Sequence, residues 1–176
     1  MKALDIADIH CLRAAQGWLE LGSAAEASAE LANIRVESRD HPAVLEMRWQ
    51  IYVQELNWDA AKEIARTIVT QMPDEPDGWL HLSYATRRAT DGSVRAAWDV
   101  LHPVAKKFPS EPLISYNLAC YACQLGLMDI AREWLRKAFV AEKAKSLGES
   151  RPASKYKVMA LQDSDLKPLW MDIGEM

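Results

Sequence analysis

Cysteine, glycine and phenylalanine are scarce in this 176-residue chain, which has three, seven and two of them. Three cysteines are too few, and odd in number, for a disulfide framework, and they point to a reducing compartment, by default the cytoplasm. No run alternates β-branched and polar residues between turn signals, so a strand-built fold is not expected. No stretch approaches the roughly 18 apolar residues of a membrane span. The opening "MKALDIADIH" has two aspartates and no long apolar core, so it does not read as a secretory signal. Positive charge is not in excess either. Lysine and arginine number 21 against 25 acidic residues, a net charge of −4 that gives no broad basic field for nucleic acid or an anionic membrane. There is no phosphate-cradling glycine loop and no nucleophile elbow. Asp163 and Asp165 look like paired carboxylates, but helix capping explains them more simply. No enzyme, cofactor or metal is expected.

What the chain has is helix. Alanine, leucine, glutamate, arginine and lysine dominate, and all favour it. Prolines at 42, 76 and 112 each open an apolar-periodic segment, 34 and 36 residues apart, and Asp8 opens another 34 residues upstream. Four units follow, starting near residues 8, 42, 76 and 112, each reading as two helices joined by a turn. Their second helices repeat one apolar triplet: Ala27, Leu31, Ile34; Ala61, Ala65, Ile68; Ala97, Leu101, Val104; Ala131, Leu135, Ala138. Small residues at the head of each triplet let paired helices approach, and larger ones fill the space beyond.

The motifs carry a resemblance. "PDGWLHLSYA" supplies Trp79 and the Leu82-Ser83 pair, "YNLACYACQLG" supplies Leu118-Ala119 and Gly126, and "MP" and "FP" supply closing prolines Pro73 and Pro109. Over residues 8 to about 145 the chain resembles the tetratricopeptide repeat family. The resemblance implies an all-α, right-handed solenoid of four helix-turn-helix repeats, with 1–7 as a lead-in and 146–176 as a loop and C-terminal helical cap. Departures are local. Trp49 stands where a small residue belongs, Leu56 replaces a turn glycine beside the potential cap Asn57, and Arg39 and Lys143 replace closing prolines. Asp91-Gly92 marks a longer turn in the third unit, with Ser93 as N-cap. "LGESRPAS" reads as the loop before the cap. In the cap, Val158, Met159, Leu161, Leu166, Leu169 and Trp170 are expected to cover the last repeat, with Asp165 as N-cap and Pro168 in the first turn.

In this family the first helices line a concave groove that takes a protein or peptide partner. Carried over by position, the lining is Leu12, Gln16, Glu46, Gln50, Gln54, Leu80, Tyr84, Arg87, Arg88, Tyr116, Asn117, Cys120 and Gln124. His81 is the one histidine near that face. Cys120 and Cys123 fall mid-helix, where a thiol gains nothing from a helix N-terminus and no further C-x-x-C or histidine pair completes a zinc set, so they read as small helix residues. The tryptophans read as packing between helices. The function implied is a non-catalytic interaction scaffold. Two alternatives remain open here: a secretion-type chaperone of the same architecture, which would hold an unfolded client and form a homodimer, and a cysteine-based metal or redox module.

Overall fold

In a computed structural model, which describes residues 3–145 and 154–176, the described residues form ten α-helices and no strand. None of these helices is long and apolar enough to cross a membrane. The expected loop before the cap falls mostly outside the described residues. The chain divides into two compact units, Met1–Asp91 and Gly92–Met176, and the division falls at the long Asp91-Gly92 turn.

The first unit contains α1 (Ile6–Glu20), α2 (Ala24–Ala32), α3 (Pro42–Gln54), α4 (Trp58–Gln71) and α5 (Pro76–Arg88). The second contains α6 (Val94–Leu101), α7 (Pro112–Gln124), α8 (Met128–Lys145), α9 (Lys155–Ala160) and α10 (Trp170–Glu175), with short 3₁₀ turns between some of them. Pro42, Pro76 and Pro112 each occupy the first turn of a 13-residue helix, where a missing N–H costs nothing. Asn57 and Ser93 cap α4 and α6 as expected, accepting from the N–H groups of Ala60 and Ala96 at 3.2 and 3.0 Å. α1 starts earlier than its pattern suggests: Asp5 is the cap, and Asp8 lies one turn inside, 1% exposed. That buried carboxylate accepts from the Ser38 hydroxyl at 2.6 Å and from the Arg35 guanidinium at 3.0 and 3.2 Å. These two partners hold its pKa near 2.

Three turns share one hydrogen-bond pattern. The N–H groups of Ser23, Asn57 and Leu127 each reach back five residues, to the carbonyls of Trp18, Tyr52 and Ala122, at 2.8 to 2.9 Å. This closure forces the preceding residue into the left-handed region. Gly22 and Gly126 adopt it freely, at φ +82° and +77°. Leu56 adopts it at φ +56°, as the non-glycine exception among the described residues.

Eleven of the twelve triplet residues are buried; Val104 is half-buried. In the first unit α5 packs closely on α4 because residue 78 is glycine. A Cβ there would meet Ile68 Cγ2 at 2.9 Å. Trp79 turns its indole N–H to the Pro73 carbonyl at 3.0 Å, tying helix α5 to the connection that follows α4.

In the second unit the C-terminal segment lies against α7. Leu166, Leu169 and Ile173 are at most 1% exposed, and the Trp170 indole N–H bonds the carbonyls of Ala160 and Asp163. Arg132 on α8 holds Asp172 at 2.6 Å. The expected cap contacts need correcting in part. Val158 and Leu161 are exposed, at 47% and 39%, while Ala160 and Ile173 are buried in their place. The N-cap is Asp163 rather than Asp165: its carboxylate accepts from the Asp165 N–H at 2.9 Å and starts a 3₁₀ turn, Ser164–Leu169, that carries Pro168 inside it.

Candidate partner-binding face

In the first unit an array of aromatic and charged side chains joins α3, α4 and α5. α3 places Glu46, Trp49 and Gln50 on one stripe, at i, i+3 and i+4. α5 places His81, Tyr84 and Arg88 on another, at i, i+3 and i+7. The Trp49 indole and the His81 imidazole stack with centroids 3.6 Å apart and planes 12° off parallel. Tyr84 meets Trp49 and Trp58 edge-on, at 6.4 and 5.7 Å. The Arg88 guanidinium lies 3.6 Å over the Tyr84 ring and 5.4 Å from Trp58. Such contacts are worth about 0.5–1 kcal/mol each at exposed sites, and here their main effect is to fix geometry.

Polar contacts hold both ends. His81 Nε2 donates to Glu46 Oε2 at 2.9 Å, and the Gln50 amide donates to Glu46 Oε1 at 2.9 Å. Burial acts to raise the Glu46 pKa, but the hydrogen bond and charge of His81, with the Gln50 amide, outweigh it and the carboxyl sits below its ordinary range. At the far end Arg88 Nη1 donates to the Tyr84 carbonyl at 3.1 Å. Tyr84 remains 36% exposed. The result is a half-open surface with an apolar middle, a cation at one end and a carboxylate at the other. Rigid aromatics beside arginine are the composition favoured at interaction hot spots.

The expected lining residues divide. Tyr84 and Arg88 belong to this array, and Glu46 and Gln50 anchor it. Gln16 and Gln54 are exposed, Gln16 bonding Glu20 within its own helix, and Arg87 is half-buried. Leu12 packs against the core of the first hairpins. Leu80 is 7% exposed and points to packing, not to a partner. In the second unit Gln124 is exposed and Asn117 half-buried. Tyr116 and Cys120 are 3% and 4% exposed and so do not offer the surface expected of them. The chain's own C-terminal segment covers them: the Tyr116 hydroxyl donates to Asp163 Oδ2 at 2.9 Å, and Cys120 Sγ lies 3.5 Å from the same oxygen. Burial first, then the Cys120 and Asp163 charges, push the Tyr116 phenol pKa far up.

Trp49 and Trp58, expected to be packing alone, are members of the array. The sequence signal was Trp49 itself, a bulky residue at a position reserved for a small one. Cys120, Asp163 and Asp165 bring one sulfur and two carboxylate oxygens within 4.8 Å of one another. Capping and the Tyr116 bond account for that arrangement. Burial, and after it the Asp165 charge, raise the Cys123 thiol pKa, which is the opposite of what a reactive thiol needs. A hollow of ≈ 490 Å³ in the first unit is lined by Leu4, Arg35, His41 and Met72 among others. Its cation is already committed, since Arg35 binds Asp8 and Asp5.

No protein-family model matches the sequence, and a search of curated proteins returns no match.

Proposed function

We propose that this chain is a non-catalytic interaction module of the tetratricopeptide type, which holds a protein or peptide segment against the face built by α3 and α5. The observation that carries the proposal is the array of Trp49, His81, Tyr84, Trp58 and Arg88. It is partly exposed and chemically mixed, so a partner finds stacking surface and charge-assisted hydrogen bonds together. Proline-opened 13-residue helices at near-constant spacing, and one turn pattern used three times, support the repeat reading. All three cysteines are free thiols, which suits a reducing compartment such as the cytoplasm.

Affinity capture from the native organism, read by mass spectrometry, tests the proposal. Proteins retained by the wild-type chain should be lost with Tyr84→Ala combined with Arg88→Glu. Truncating an anchor of this kind costs about 2 kcal/mol, roughly 30-fold in affinity. Helical circular dichroism should be unchanged. Undiminished recovery by the folded double variant would remove the face from consideration. Solution X-ray scattering incompatible with hairpins stacked in a right-handed superhelix would refute the repeat reading.

A further inference from the structure

The second unit carries a surface that the α3–α5 face does not account for. Along α8, positions 133, 136, 137, 140, 141 and 144 fall on one helical stripe. With Pro109 and Ser110 they line a hollow of ≈ 500 Å³. Its apolar part is Val140, Ala141, Ala144 and Pro109, and Val140 stands in it 69% exposed. A lone exposed valine is ordinary, but a contiguous apolar hollow is a binding feature. The charged rim is Glu133, Arg136 and Lys137, a set with one positive charge in excess. Lys137 bonds Glu133 at 2.7 Å and sits 4.1 Å from the centre of the Trp134 ring.

Charge is distributed unevenly to match. The first unit has 9 basic residues against 15 acidic, whereas the second has 12 against 10. The basic excess of an acidic protein therefore lies in the unit with the hollow, and exposed Lys106, Lys107 and Lys143 add to it.

We propose that this stripe of α8 docks an acidic amphipathic helix of a partner protein. The partner's aliphatic side chains seat against Val140, Ala141 and Ala144, and its carboxylates pair with Arg136 and Lys137. A helix fits because the receiving positions recur at helical spacing along the 18 residues of α8, the arrangement of a helix laid in a groove. Acidity fits because a basic rim steers and orients an anionic ligand and repels a cationic one. Lys137 exchanges an exposed intrahelical carboxylate for one on the partner, so little is lost in freeing it.

The test uses the full chain and a fluorescein-labelled synthetic 16-residue helix with leucine on one face and glutamate elsewhere. A second peptide replaces glutamate by lysine. Fluorescence anisotropy should show saturable binding of the glutamate peptide alone, weakening as salt rises. Val140→Glu should weaken it at least about tenfold. Arg136→Glu with Lys137→Glu should do the same and flatten the salt dependence. Arg95→Glu on α6, and the Tyr84 and Arg88 variants, should leave it unchanged, which separates this proposal from the α3–α5 face. All the substituted α8 residues are exposed, and circular dichroism checks that the fold persists. Absence of binding, equal binding of the lysine peptide, or indifference to Val140→Glu overturns the proposal. So does binding to phosphatidylserine vesicles without binding to the peptide.

Discussion

Leu56 permits a test of sign rather than size. It sits at φ +56° in a turn whose counterparts are glycines, held there by the Asn57 N–H bond to the Tyr52 carbonyl. The left-handed conformation costs a residue with a Cβ about 1–2 kcal/mol. The side chain is 69% exposed and contributes some burial, which would blur a direct comparison of leucine with glycine. Comparing Leu56→Ala with Leu56→Gly removes the blur, because neither carries the leucine side chain. In an ordinary helix position alanine is the more stable by about 0.8–1 kcal/mol. Here the order should invert, with the glycine variant more stable by about 1 kcal/mol. For a chain of this size that is about 2–4 °C in Tm. The reciprocal change is Gly126→Ala, where the new Cβ meets nothing within 4 Å, so the backbone alone is perturbed. It should cost about 1 kcal/mol. Urea denaturation followed by circular dichroism reads both. An alanine variant as stable as the glycine variant at position 56 would refute the left-handed assignment and the shared turn.

Gly78→Ala should destabilise by about 1–3 kcal/mol through overpacking, and combined with Ile68→Ala, itself a cavity-forming change in the core, it should cost less than the two single changes added together. Thermal unfolding of both single variants and the double variant decides it. Asp8 is held below its unfolded pKa, so its contribution is complete above about pH 4 and is lost as pH falls toward 2. Asp8→Asn should therefore lower stability at neutral pH and flatten the acid limb of a stability–pH profile. Deleting residues 163–176 should uncover α7 and make the protein aggregate, measured by light scattering; a soluble truncated chain of unchanged helicity would show that the segment is not part of the second unit's core.

Local features were legible because local rules dictate them. Proline at 42, 76 and 112 fixes where a helix can begin, and small residues at 27, 61, 97 and 131 fix which face can approach a neighbour. The helix caps Asn57 and Ser93 were equally plain. What escaped the sequence depends on distant residues meeting. Asp163 reaches Tyr116 across 47 residues, and nothing around either predicts it. Without that contact Tyr116 and Cys120 look like open surface. The stack of Trp49 on His81 needs α3 and α5 side by side, which no periodicity within either helix reports. Lys62 on α4 is likewise only 7% exposed, because it is bound to Asp91, 29 residues further along the chain.

The same 47-residue separation sets a timetable. Helical hairpins close on near neighbours in sequence and form quickly once their residues emerge. The apolar side of α7 cannot be covered until Asp163, Leu166 and Leu169 have been made. At about 5–20 residues per second, that leaves it bare for roughly two to ten seconds of synthesis. During that interval the nascent chain exposes Tyr116 and Cys120 in a surface that the finished protein never shows, and any ribosome-associated factor that shields apolar segments has its target there.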